Sequence, residues 1–161
     1  MPDLTLEPVS YADPAVVAMT VEVQDYYRQI YGGPDDSPLA DVELVPPAGL
    51  FLLARLDGEP AGMGGWRRID AVDALGGEHP AEVRRMYTAP AARHRGVARA
   101  LLTELERTAA EHGADVLVLS TGGVQADAVA FYRSCGYTDI PVFGHWAGAP
   151  GIVCLGRLLA G

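Results

Sequence analysis

The chain has 161 residues, 49% of them hydrophobic, and a net charge of −9, with 12 basic residues that are all arginine. That length suits one packed core. No stretch reaches the roughly 18 apolar residues of a membrane span, and the acidic balance argues against DNA or RNA as the main partner, because such a partner needs a broad basic face. The opening MPDLTLEPVS lacks the basic and apolar regions of a signal peptide, and Cys135 and Cys154 lack metal-ligand spacing, so a cytoplasmic protein with reduced thiols is expected.

Thr5 to Val9 reads as a first strand. From Ala15 to Ile30 the apolar positions Val16, Met19, Val23, Tyr26, Tyr27 and Ile30 follow a helical period, in one helix or two. Residues 32–49, rich in Gly and Pro, read as loop. Leu50 to Leu56 is a strand, Asp57 to Pro60 a turn, and Ala61 to Ile69 the hairpin partner. Residues 70–80 form a second loop, and Glu82 to Thr88 is a strand that stops before Pro90. Gly96 to Glu111 is a helix with Val97, Leu101, Leu102 and Leu105 on one face, ended at Gly113. Asp115 to Thr121 is a continuous apolar strand, as expected where both faces are covered. Gln125 to Cys135 is a helix closed by Gly136, and Tyr137 to Ile140 and Ile152 to Leu158 are the last strand candidates. The middle strands can pair antiparallel, and the strand–helix–strand step over 82–121 should be a right-handed parallel crossover. The expectation is one α/β (α+β) domain over residues 1–161.

The arginines cluster. Arg84, Arg85, Arg93, Arg95, Arg99 and Arg107 fall within one window whose centre, Arg93-His94-Arg95-Gly96-Val97-Ala98, opens a helix. The first N–H groups of a helix have no intrahelical partner, and the macrodipole favours negative charge there. Gly96 allows close backbone approach to an oxygen, and Arg93 and Arg95 can add charge-assisted hydrogen bonds to a phosphate. The loop lacks the Lys-Ser/Thr of a P-loop and the full G-x-G-x-x-G of a dinucleotide site.

This segment resembles the acyl-CoA-binding core of the GNAT superfamily of N-acetyltransferases, whose signature is Gln/Arg-x-x-Gly-x-Gly/Ala after a strand and a Pro-containing turn. Arg93, Gly96 and Ala98 match it, with Pro90 upstream. Downstream, Gln125 to Tyr137 resembles the family's Asn-x-x-Ala-x-x-x-Tyr-x-x-x-Gly-Phe helix: Ala128, Tyr132 and Gly136 fall in register, while Gln125 replaces the commoner Asn. The resemblance implies a central mixed, mostly antiparallel sheet of six to seven strands, splayed in the middle and flanked by about four helices. It implies acetyl-CoA as co-substrate, with the pantetheine arm in the splay along Met86, Tyr87 and Thr88. The pyrophosphate would rest on Arg93, His94, Arg95, Gly96, Val97, Ala98 and Arg99, and Gln125 and Tyr132 would complete the coenzyme site.

The chemistry so implied is direct acyl transfer to an amine. It needs a base for the amine, a donor for the developing oxyanion and an acid for the departing thiolate. Tyr132 is the candidate acid, since a phenol matches a thiol in pKa better than a carboxylate does; the plainer reading is a core aromatic beside Phe131. Glu82 is the candidate base, and the plainer reading is a solvated carboxylate at a strand end. The Met86 backbone N–H is the candidate oxyanion donor. On the acceptor side Trp66, Arg68 and Arg84 could line the splay, and Arg68 and Arg84 could hold a carboxylate. His145 could close the site from the C-terminal loop. His79, His94 and His112 have no metal-like grouping and no metal is expected; Tyr26, Tyr27 and Tyr31 read as packing.

The leading expectation is an N-acetyltransferase acting on a primary amine of a small molecule. The competing readings are a non-catalytic acyl-CoA-binding module, a nucleotide-binding protein of another fold, and acetylation of a protein or peptide N-terminus. No nucleic-acid or membrane partner is expected, and a homodimer is left open.

Overall fold

The computed structural model describes residues 3–159. Its strands are β1 (Leu4–Pro8), β2 (Gly49–Leu56), β3 (Glu59–Arg68), β4 (Pro80–Thr88), β5 (Val116–Gly122), β6 (Thr138–Asp139) and β7 (Ile152–Leu158). Three α-helices accompany them: α1 (Pro14–Tyr31), α2 (Val97–Glu111) and α3 (Ala126–Ser134). The seven strands form one sheet in the order β1-β2-β3-β4-β5-β7-β6. All pairings are antiparallel except β4 with β5, which is parallel. No helix among the described residues is long and apolar enough to cross a membrane.

The first helix is a single element. Its 18 residues contain no breaker between Pro14 and Gly32. Asp13 caps the start by accepting the Ala15 N–H at 2.9 Å, Pro14 supplies a preset φ at the first position, and Gly32 ends the helix at φ +80°. With α1 continuous, the α-helices among the described residues number three where about four were expected; Asp41–Leu44 and Pro90–Ala92 are short 3-10 turns.

The two faces of the sheet are covered by different helices. Val16, Met19 and Val23 of α1 pack on Phe51, Leu53 and Met63. Val97, Leu101, Leu102 and Leu105 of α2 pack on the opposite face with Leu52, Trp66 and Leu117. Burying side chains of this size contributes about 1.5–3 kcal/mol each. Alternation along β3 and β4 therefore assigns residues to sides: Met63, Gly65 and Arg67 face α1, while Gly64, Trp66 and Arg68 face α2.

The position of the site follows from one short ladder. β4 and β5 are paired only at Pro80↔Val116, Ala81↔Leu117 and Glu82↔Val118. Beyond Glu82 the two strands part, while β4 stays paired to β3 and β5 to β7. The expected splay is thus present, and it opens at Glu82.

Candidate active site

β4 enters the gap with a defect in its pairing. Between Gly65↔Arg84 and Met63↔Tyr87 the register with β3 slips by one residue, so Gly64 faces both Arg85 and Met86. Arg85 absorbs the extra residue at φ +59°, a left-handed conformation that costs an ordinary residue roughly 1–2 kcal/mol. The slip reverses the alternation of the backbone. Ile69 N–H donates to Pro80 O at 3.3 Å, and Ala89 N–H donates to Ala61 O at 2.8 Å. Counting by twos from Pro80 turns the backbone groups of Glu82 and Arg84 toward β3; counting back from Ala89 does the same for Tyr87. Met86 and Thr88 therefore present N–H and C=O to the gap, where the β5 ladder has already ended. Without the bulge, Met86 would have spent its N–H on β3.

Past the end of β4, the turn Pro90–Ala92 leads to Gly96, which caps α2 with φ +82° and no side-chain hydrogen bond. The first helical bond runs from Ala100 N–H to Gly96 O at 3.1 Å, leaving the earlier amides of the turn without an intrahelical acceptor. Arg93, His94, Arg95 and Arg99 are exposed around it. Arg93 Nε donates to Thr88 O at 3.4 Å. Arg99 leans on α3, with Nη2 3.3 Å from Ser134 Oγ and its guanidinium 6.0 Å from the centre of the Phe131 ring. An uncapped helix start, a left-handed glycine with open space beside it and exposed guanidiniums fit the diphosphate of an acyl-CoA. The unpaired β4 edge fits its amide-bearing arm.

A cavity of about 650 Å³ lies where β4 and β5 separate. Glu82, Arg84 and Arg85 of β4 and Arg67 of β3 line one wall. Glu82 Oε1 accepts from Arg67 Nε at 3.2 Å and Nη2 at 3.1 Å, and stands 3.7 Å from Arg84 Nη1. Arg67 is also held by Glu43 Oε2 at 2.7 Å. Arg84 is buried, donating to Ser37 Oγ and, at 3.3 Å, to Pro38 O. Burial lowers its pKa, against the opposing pull of Glu82. Arg85 pairs with Asp35 and donates to Tyr11 Oη at 3.1 Å. Burial works against the Asp35 carboxylate, but the Ser37 hydroxyl and the Arg85 guanidinium outweigh it, so its pKa lies below the usual value. Arg67 Nη1 also donates to Pro38 O at 3.2 Å, so three arginines tie down the irregular segment 33–38.

Aromatic groups form much of the remainder. Tyr132 of α3 is buried, packed edge-on against Phe131 and Tyr137 at 5.3 and 5.9 Å, and it lines the cavity. Its hydroxyl takes no protein hydrogen bond among the described residues, and burial pushes its pKa up. Tyr27 and Tyr31 reach in from the end of α1. Burial, then the nearby Asp35 carboxylate, pushes the Tyr27 hydroxyl up to about 12. Tyr31 lies over Gly122, where any Cβ would strike its ring, and its Oη accepts from Gln125 Nε2 at 2.7 Å. His145 bonds Asp36 Oδ1 at 3.1 Å and sets Trp146 edge-on at 4.7 Å, so the 143–146 loop meets the 33–37 loop beside the opening. Among the described residues no three His, Cys, Asp or Glu side chains gather as metal ligands.

The model of the acetyltransferase (GNAT) family matches residues 17–137. The chain belongs to this family. Over 150 residues, 93% of this chain and 94% of the relative, it is 34% identical to an IAA acetyltransferase of Azospirillum brasilense. The structure of a candidate acyl-CoA N-acyltransferase from Klebsiella pneumoniae superposes with a TM-score of 0.76 at 25% identity, covering 98% of both chains. An IAA acetyltransferase from Bacillus cereus ATCC 14579 superposes at 0.67 and 17% identity, over 98% of this chain and 100% of that one, a likeness of fold. The chain is therefore a GNAT acetyltransferase that draws on acetyl-CoA.

Within this GNAT site, Glu82, Arg84, Met86, Gln125, Tyr132 and His145 line the one cavity, and Thr88 and Arg93 to Arg99 continue from it along the β4 edge to α2. Three of the expected site residues lie elsewhere. Trp66 is fully buried on the α2 side with its Nε1 bonded to Thr108 Oγ1 at 2.9 Å, and Arg68 is exposed with Nε on Pro47 O at 3.1 Å. Both share the wrong face of β3; Arg67, between them, faces the cavity. Tyr87 turns its backbone to β3 and its hydroxyl to Glu22 at 3.1 Å, so it lies beside the gap without facing it. Tyr27 and Tyr31, read from the sequence as packing, are cavity walls. The signal for them was their i, i+4 spacing at the helix end next to a loop of Gly, Pro and Asp, which places two phenols on one face but does not say what the face meets.

Proposed function

We propose that this chain moves the acetyl group of acetyl-CoA directly onto a primary amine of a small molecule, both substrates being bound together. The observation that carries the reading is that Glu82 and Tyr132 line one cavity at the point where β4 and β5 part. The IAA acetyltransferase relative of Azospirillum brasilense supports a small molecule as acceptor. The α2 amides and Arg93 and Arg95 hold the diphosphate, and the Met86 and Thr88 backbones hold the pantetheine arm; acetyl-CoA then supplies an activated thioester. Glu82 takes the proton of the attacking amine, directly or through a water. The Met86 N–H donates to the carbonyl oxygen as it gains charge. Tyr132 gives its proton to the departing sulfur.

Glu82→Gln tests the base. It preserves the shape and hydrogen-bonding span of the side chain but cannot accept the proton. With an acceptor found by screening amines for CoA release, we expect kcat to fall about 10²-fold while acetyl-CoA affinity holds, because Glu82 precedes the unpaired edge. A rate and pH profile equal to wild type would transfer the role to water and leave the rest of the reading standing.

A further inference from the structure

Glu82 and Arg84 share a feature that acetyl transfer alone does not require. Both recorded contacts of the Glu82 carboxylate, to Arg67 and to Arg84, fall on Oε1; Oε2 has no protein partner among the described residues. Arg84 has five N–H donors and spends two, on Ser37 and Pro38. Among the described residues, Glu82 Oε2 and Arg84 Nε, which take no protein partner, are not sealed away, since no fully buried side-chain nitrogen or oxygen lacks a partner. A carboxylate oxygen and a buried guanidinium, both with unspent capacity, therefore open side by side into the cavity.

The surrounding charges sharpen the point. Arg67 is paired with Glu43 at 2.7 Å and Arg85 with Asp35, whereas the Arg84 contact to Glu82 is the loosest at 3.7 Å. Once Glu82 takes the amine proton it is neutral, and buried Arg84 keeps only the weaker pull of Asp35, a carboxylate that Arg85 already pairs. Such a charge is costly unless something pairs with it. A carboxylate on the acceptor, next to the amine, would supply that partner. The rest of such an acceptor would lie against Tyr27, Tyr31, Phe143 and Trp146, walls that suit a flat apolar body.

We propose that the acceptor is an α-amino acid with an aromatic side chain, its amine at Glu82 Oε2 and its carboxylate on the unspent donors of Arg84. This rests on the acetyltransferase reading of the cavity and names the substrate class within it.

The test compares L-phenylalanine with phenethylamine, the same molecule without its carboxylate, at saturating acetyl-CoA. The two amines differ in basicity, so the decisive quantity is the change in their ratio of kcat/KM between wild type and Arg84→Gln, in which that difference cancels. Loss of folded enzyme cancels as well. We expect the ratio to fall about 10- to 100-fold, the value of hydrogen bonds to a charged group, and to fall less in Arg84→Lys, which keeps the charge and loses the fork. If Arg84→Gln does not fold, wild type still decides: 3-phenylpropionate, with ring and carboxylate but no amine, should inhibit competitively against L-phenylalanine, and no inhibition overturns the proposal. An unchanged ratio overturns it too, as does acetylation of other amines with neither of these two; in both cases the acetyltransferase reading survives. If no amine in a broad screen is acetylated, both readings fall.

Discussion

Tyr132→Phe should lose roughly 10²–10⁴-fold in kcat, the usual worth of a positioned general acid, while acetyl-CoA binds as before. The ring is held by edge-on contacts with Phe131 and Tyr137 at 5.3 and 5.9 Å, which phenylalanine reproduces. The hydroxyl has no protein partner among the described residues, so its removal strands no donor or acceptor. Burial raises the proton affinity of Tyr132, which keeps the donor protonated across the neutral range. The same dry surroundings raise the proton affinity of a departing thiolate, so donor and acceptor shift together. The pH profile of the wild type should therefore show no alkaline fall from Tyr132 up to pH of about 9, since the phenol's raised pKa lies above even its ordinary value of about 10. Single-turnover rates separate the step from product release: an unchanged chemical step in Tyr132→Phe would make Tyr132 a packing residue.

The proposed acid, base and oxyanion donor reach one cavity through features of different range. α2 and its approach are local. A strand, a proline turn, a left-handed glycine and an apolar run follow in sequence, and each is read from its own residues, so the expected helix from Gly96 to Glu111 is α2 with Gly96 as its cap. β7 is likewise bounded as its apolar run suggests. The bulge at Arg85 is not local. An arginine at φ +59° has no sequence signal, because the strain is imposed by pairing with β3 on one side while β5 departs on the other. Its consequences, Met86 turned into the gap and Arg84 and Arg85 both directed at segment 33–38, are therefore invisible to alternation counted along β4 alone. The fate of Trp66, Arg67 and Arg68 turns on the same point: a strand's pattern says that neighbours face opposite sides, and only the packing of α1 and α2 says which side holds the site. Tyr27 and Tyr31 became walls because segment 33–38 folds back over the sheet, tied by Gln24 and the arginines.

Gly96→Asp should abolish acetyl-CoA binding. At 100 times its Kd a ligand adds about 2.7 kcal/mol to the stability of the folded state, which for a chain of this length is a rise of roughly 5–10 °C in Tm. That rise should be present in wild type and absent in the variant. Two effects of the substitution must be kept apart. Gly96 sits at φ +82°, so any side chain strains the α2 cap by about 1–2 kcal/mol and lowers the Tm of the free protein. A Cβ at this position meets no protein atom within 4 Å, so the protein itself has room, and what a side chain would meet is a ligand on the helix amides. Gly96→Ala carries the backbone strain with little bulk and no charge, and should keep part of the acetyl-CoA-induced rise. Gly96→Asp adds a carboxylate beside the uncapped amides that would hold a diphosphate, and its charge repels the phosphates. No response to acetyl-CoA in Gly96→Asp, with part of the rise kept in Gly96→Ala, separates that repulsion from the backbone strain the two variants share. An undiminished rise in Gly96→Asp would mean that the diphosphate is held elsewhere than at the start of α2.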